Sequence, residues 1–246
     1  MTLCALWRYP VKSLGGERLT GADVRPEEPL PGDRAWAIRD DATGEIISAK
    51  RDPRILYAWA TTHDDGVSVS VPGLASPMPV AQAGPTLSAW LGRRVSMCDT
   101  SSLRPETTFD FGFRVDLGSR SYGDSGNVLH LVSTATLRAL GDLVPGITPA
   151  EAVRRTRPNL VVDLGPEPFA EDQPAGSTLM VGEVVLRVVG RTGRCMMVDR
   201  AQPGVPRAAL LDLLTERRDG ALGVYVTVRQ GGRLEVGVEP PVGVEP

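Results

Sequence analysis

Apolar residues recur at alternate positions over short runs, and glycine, proline or aspartate ends each run, so the chain reads as many short strands with few helices. Residues 2 to 9, TLCALWRY, alternate loosely until Pro10 ends regular pairing and puts Val11, Lys12 and Ser13 in an extended or turn conformation ahead of Gly15 and Gly16. After a proline-rich connection, Gly32 to Ile38 predicts a strand with Arg34, Trp36 and Ile38 on one face, followed by a hairpin turn at Asp40 to Gly44. Residues 55 to 62 and 66 to 71 predict two strands around Asp64-Asp65-Gly66, and residues 95 to 98 another. In the second half, strands are expected at 128–132, 159–164, 178–181, 183–189, 222–229 and 233–238.

Helix signals are fewer and sharper. Residues 85 to 92 open on proline and close on glycine. Ser133 is an N-cap for a helix running to about Gly141, and Thr148, Pro149 and Glu151 have capping-box spacing for one that stops before Pro158. Residues 206 to 218 predict an amphipathic helix opened by Pro206, with Leu210, Leu211, Leu213 and Leu214 toward the core. The class is α+β, predominantly β. Residues 99 to 127 lack periodicity and mark a change in composition, which puts a domain seam near residue 115.

Composition narrows the function classes. A chain of 246 residues with 41% hydrophobic content can bury a sizeable core as one large domain or two small ones. The formal charge of -3, from 27 basic and 30 acidic residues mixed along the chain, leaves no footprint for nucleic acid or a membrane surface. Three widely spaced cysteines form neither a disulfide framework nor a CxxC metal site. With no apolar run near the length of a membrane span and no signal-peptide pattern at the N-terminus, a reducing cytoplasm is expected.

The candidate chemistry centres on VVLRVVGRTGRCMMVDRAQP, residues 184 to 203. An apolar run meets a glycine-bracketed turn, Gly190 to Gly193, which delivers Arg194 and Cys195 at a strand end, with Arg191 also nearby. Cations favour a thiolate, the form that attacks electrophiles and binds soft metals. The alternative is a half-buried cysteine filling a small gap. Lys12 and Ser13 on a constrained turn suit an anionic oxygen, or form a solvated turn. Arg34, sharing a face with Trp36 and Ile38, needs an internal carboxylate or an anionic ligand. Arg157 and Asn159, either side of Pro158, offer a planar fork beside an amide. His130, mid-strand among apolar residues, reads as a satisfied core or surface histidine.

The ordered segments PVKS (10–13), GDRAW (32–36), SAKRDPRIL (48–56), LHLVSTATLRAL (129–140), RRTRPNLVV (154–162), RC…VD (194–199) and the terminal GxYVxV…GGRLEVG resemble the MOSC superfamily. More narrowly, they resemble members with an N-terminal MOSC β-barrel domain, such as the mitochondrial amidoxime-reducing component and its bacterial relatives. The resemblance implies a MOSC-type β-barrel over 116–246, a smaller N-terminal β-barrel-like domain over 1–115, and a few helices. It implies binding of molybdenum cofactor (molybdopterin), with Cys195 as catalytic residue and metal ligand. Lys12, Ser13, Arg34, Arg157, Asn159 and Arg194 would hold the pterin or its phosphate, with Asp124, Ser125 and Asn127 in a further lining segment. The expected activity is reduction of N-hydroxylated or N-oxygenated small molecules. Some bacterial relatives append an iron–sulfur domain; because this sequence closes at Pro246 without its clustered cysteines, a separate electron-donor protein is expected. Sulfur transfer through a persulfide on Cys195, and a non-catalytic cofactor carrier, are the alternatives.

Overall fold

The alternating runs fold into strands whose pairing crosses the expected seam. The computed structural model describes residues 1–100 and 128–237, so the boundary expected near residue 115 lies outside the described residues. The chain opens with β1 (Thr2–Arg8), β2 (Glu17–Leu19) and β3 (Gly21–Val24), then β4 (Trp36–Asp40), β5 (Trp59–His63), β6 (Gly66–Ser70) and β7 (Met78–Pro79). Helix α1 (Gly84–Leu91) leads into β8 (Val95–Asp99). The second part runs β9 (Leu129–Ser133), α2 (Thr134–Leu143), α3 (Pro149–Thr156), β10 (Leu160–Asp163), β11 (Thr178–Val181), β12 (Val184–Gly193), α4 (Leu210–Arg218), β13 (Ala221–Gln230) and β14 (Gly232–Glu235). The fold is α+β and mostly strand.

Seven strands form one sheet in the order β11-β12-β13-β9-β10-β1-β2. The neighbours β9 and β10 are parallel, which requires a crossover, and α2 and α3 supply it. β1 pairs antiparallel with β10, so the first strand of the chain lies inside the sheet of the second part, and β3 likewise pairs with β14. Smaller sheets, β4-β8 and β5-β6-β7, surround a separate core with α1.

A register shift between Leu3 and Ala5 explains why the alternation in β1 is loose. Leu3 and Leu6 enter the core on one face of the sheet, while Cys4, Ala5, Trp7 and the following Tyr9 enter the core under α2, α3 and α4. Both faces are thereby covered.

Four expectations are corrected. The strand predicted from Gly32 begins only at Trp36, and Arg34 sits in a turn at φ 53°, off the strand face assigned to it. Residues 53–57 form a short 3₁₀ turn capped by Asp52, which accepts from Arg54 N–H, where a strand was expected to begin. Gly190 to Gly193 continues β12 instead of turning, because Gly190, Arg191 and Gly193 stay paired with β13 across two register shifts. Helix α4 starts four residues after Pro206, capped by Asp199, whose Oδ1 accepts from Leu210 and Leu211 N–H at 2.7 and 2.9 Å. Of its four leucines, only Leu210 and Leu214 are fully buried. The caps predicted at Ser133 and Thr148 are present, accepting from Thr136 and Glu151 N–H.

Candidate functional site

Three chain segments converge where β1 leaves the sheet. Beyond β1, the backbone of Tyr9 to Lys12 runs beside that of Arg34 to Trp36: Arg34 N–H donates to Tyr9 O at 2.7 Å, Trp36 N–H to Pro10 O at 3.0 Å and Lys12 N–H to Trp36 O at 2.8 Å. Asp33 adds a clamp, its Oδ1 accepting from Tyr9 N–H at 2.8 Å, and its carboxylate pairs with the Arg34 guanidinium. The third segment is the end of α3, where Pro158 stops the helix and Arg157 caps it in the left-handed region.

The Tyr9 ring is the shared surface. The Arg157 guanidinium lies 4.2 Å from its centroid and that of Arg34 5.2 Å, while the phenol donates to Pro158 O at 3.3 Å. Asn159 joins the elements: its Oδ1 accepts from His130 N–H at 3.1 Å and from Arg34 Nη1 at 3.4 Å, and its Nδ2 donates to Trp7 O at 3.2 Å. Its amide is thus committed to β9, β1 and the Arg34 turn. Arg194, at the end of β12, donates from Nη2 to Thr156 O at 2.6 Å, which brings a third guanidinium to the end of α3.

Burial sets the electrostatics. It pulls Arg157 down from the ordinary arginine range to about 10, with Tyr9 opposing and Arg34 adding to the shift. Burial raises Tyr9 to about 12 against the pull of Arg157 and Arg34. His130, buried in β9 with its Nε2 3.2 Å from Leu222 O, is held well below the usual histidine range by burial and then by Arg194. Three cations therefore act on one phenol with Asp33 as the acid that also acts on it. Arg157 Nη2 is buried without a hydrogen-bond partner among the described residues. A donor set this cationic, with one N–H unanswered, fits an anion such as a phosphate.

Ser13 is buried at φ 71°, and its Oγ accepts from Ala49 N–H at 3.3 Å, tying the PVKS turn to the segment at 48–56. Lys12 is half-buried beside it. Cys195 is half-buried and extended, directly after Arg194, at the start of a 3₁₀ turn, Met196–Asp199. That turn is fixed by Arg155, fully buried, which donates from Nη1 to Val198 O at 2.9 Å, bonds to Pro206 O, and pairs with Glu151. Arg191, expected beside the thiol, pairs instead with Asp172 and Asp219 at 3.3 and 3.1 Å on the outer side.

Arg34, Arg157 and Asn159 thus meet around Tyr9, with Arg194 close enough to act on it; Lys12, Ser13 and Cys195 adjoin the cluster through their chain neighbours. Asp124, Ser125 and Asn127 lie outside the described residues. Tyr9, Asp33 and His130 were not singled out as site residues from sequence. Their signal was adjacency alone, Tyr9 to PVKS and Asp33 to Arg34. A different signal is backbone strain: of the six non-glycine residues with positive φ among the described residues, three are Ser13, Arg34 and Arg157. Such conformations cost on the order of 1 kcal/mol or more each and cluster at functional sites.

Comparison with known proteins adds three findings. The model of the MOSC N-terminal beta barrel domain matches residues 1–93, and that of the MOSC domain matches residues 118–239. A protein named molybdenum cofactor sulfurase, from Danio rerio, is 27% identical over an alignment of 267 residues that covers 92% of this chain and 32% of that protein. The chain therefore spans about a third of that relative's length. A solved structure, the YUAD protein from Bacillus subtilis, is 14% identical, with a TM-score of 0.45 over 96% of this chain and 91% of that one.

Proposed function

The chain belongs to the MOSC-domain superfamily, with a MOSC N-terminal domain ahead of the MOSC domain, and from that premise we propose that it is a molybdenum-cofactor oxidoreductase. Its substrates are small N-hydroxylated or N-oxygenated molecules, and its electrons come from a separate donor protein. The reading rests above all on the Arg34–Arg157–Arg194 cluster with its unanswered Arg157 Nη2. Arg157 and Arg34 would take the cofactor's phosphate or pterin oxygens, together with Lys12, Ser13 and Arg194, and Cys195 Sγ would be the protein ligand to molybdenum. Bound there, the cofactor would supply two-electron oxygen-atom chemistry.

The protein's own part follows from its geometry. Asn159, with its amide spent on backbone and on Arg34, orients the cationic turn and does not itself need to touch the ligand. His130 stays neutral and leaves the field positive. Arg155 holds the turn after Cys195, so the thiol is presented from a fixed backbone. The three free cysteines suit a reducing compartment, here the cytoplasm.

Sulfur transfer is the second reading, favoured by the name of the Danio rerio relative; Cys195 would then carry a persulfide. Metal analysis of the protein from a cofactor-producing host separates the two. Near-stoichiometric molybdenum that disappears in Cys195→Ala, with the melting temperature retained, is the expected result. Full molybdenum and full hydroxylamine reduction in Cys195→Ala would overturn the ligand assignment, and cyanide-labile sulfur on Cys195 without molybdenum would favour the persulfide.

A further inference from the structure

The guanidinium groups of Arg34 and Arg157 are held in place by different means. Arg34 pairs with the Asp33 carboxylate and donates to Asn159 Oδ1 at 3.4 Å. Arg157, 8% exposed, makes no ion pair among the described residues, and its Nη2 has no hydrogen-bond partner there. Its guanidinium rests 4.2 Å from the centroid of the Tyr9 ring. We propose that Tyr9 is the positioning residue of the anion site: its ring, acting through Arg157, orients that guanidinium for an anionic oxygen without neutralising it. The role rests on the reading of Arg157 as a ligand to the cofactor's phosphate or pterin oxygens.

The ring is itself fixed before any ligand arrives. Tyr9 is 3% exposed; its N–H donates to Asp33 Oδ1 at 2.8 Å and its carbonyl accepts from Arg34 N–H at 2.7 Å. At the far end the phenol donates at 3.3 Å to the carbonyl of Pro158, the residue after Arg157. Gly16 closes on the ring edge, where a Cβ would come within 2.4 Å of it. Residues from three chain segments thus give the ring one position, and a rigid support lets a side chain resting on it keep its orientation. An aromatic ring suits this task better than an acid. A carboxylate beside Arg157 would hold the guanidinium and cancel its charge, whereas an aromatic face attracts it through the ring quadrupole and leaves the full charge for an incoming anion. Burial raises the phenol to about 12, so Tyr9 adds no negative charge at neutral pH. The Nη2 donors of Arg157 stay uncommitted, and only an acceptor can satisfy them.

The test is calorimetric titration of molybdenum-free full chain with inorganic phosphate, with molybdenum content after expression in a cofactor-producing host as a second reading on the same variants. Tyr9→Phe, which keeps the ring, is expected to bind within about twofold of the wild type, and Tyr9→Leu about fivefold more weakly. On an Arg157→Gln background Tyr9→Leu is expected to cost less than about twofold further, because the ring acts through Arg157. Equal effects of Tyr9→Leu with and without Arg157, or a loss in Tyr9→Phe as large as in Tyr9→Leu, overturn the role. Should Tyr9→Leu fail to fold, mono-, di- and trifluorinated phenylalanine at position 9 decide the matter, since fluorine drains the ring face at nearly constant volume. Affinity falling stepwise along that series is the expected result, and a flat series overturns the role. A wild type that neither binds phosphate up to about 10 mM nor acquires molybdenum overturns the anion site itself. A wild type that does either, matched in full by folded Tyr9→Leu, overturns only the part assigned to the ring.

Discussion

Replacing Arg157 with glycine should cost little stability while emptying the site. At neutral pH the folded protein holds a guanidinium whose pKa burial has lowered from the ordinary arginine range to about 10, a penalty on the order of 3 kcal/mol. Because the folded-state value is depressed, the penalty is complete below pH 10 and lifts only as the pH rises above it. The residue also sits at φ 53°, which costs a further ~1 kcal/mol that glycine does not pay. Against these gains stand the cation–π contact with Tyr9, about 1 kcal/mol, and the buried methylene stem, about 2 kcal/mol, plus the greater freedom of glycine in the unfolded chain, about 1 kcal/mol. The balance lies within about 1 kcal/mol of zero. Arg155, two residues earlier, is the control: it is equally buried but bonded to Glu151, Val198 O and Pro206 O, so Arg155→Met should cost about 3–5 kcal/mol. Urea denaturation of molybdenum-free protein at pH 7 measures both, and molybdenum content after expression in a cofactor-producing host measures binding. Equal and large destabilisation by the two substitutions would show that Arg157 is a structural arginine, and full molybdenum in Arg157→Gly would remove it from the site.

Two further outcomes follow from the same packing. His130 is buried with its pKa held well below 6.5, so its stability contribution is present above 6.5 and is lost as the pH falls through the folded-state value. The wild type should lose up to about 1.4 kcal/mol per pH unit below pH 6.5 from this group, and His130→Gln should flatten that slope in urea titrations at pH 7 and 5.5; an unchanged slope would remove His130 as its source. Gly223 has φ 72°, and a Cβ there would lie 2.6 Å from His130 Nε2 and from Leu131 O. Gly223→Ala should therefore cost about 3 kcal/mol or more, read as a fall in melting temperature, and a change of less than about 0.5 kcal/mol would contradict the close approach.

Much of the fold was legible in local patterns. The caps at Ser133 and Thr148, the stop at Pro158 and most strands are properties of a few neighbouring residues, and they survive in the structure because packing agrees with them. The misread elements share a cause. The run at 190–193 has glycines at both ends and reads as a turn, yet pairing with β13 carries it on as strand; only the partner strand decides that. Arg34 reads as a strand residue from its alternation with Trp36, but Asp33 and the backbone of Tyr9 hold it in a left-handed turn.

The site divides in the same way. Local sequence marks the residue types that are unusual for their surroundings: a thiol after an arginine at a strand end, a lysine and serine on a turn, an arginine and an amide around a proline. Long-range packing alone sets Arg34 and Arg157, 123 positions apart in the chain, both against Tyr9, spends the Asn159 amide on Arg34 and on the backbone of β1 and β9, and pairs Arg191 with Asp172 and Asp219. The reason is that β1 is laid into the sheet of the second part between β10 and β2, and strand order is fixed by long-range pairing and burial, which no window of sequence contains.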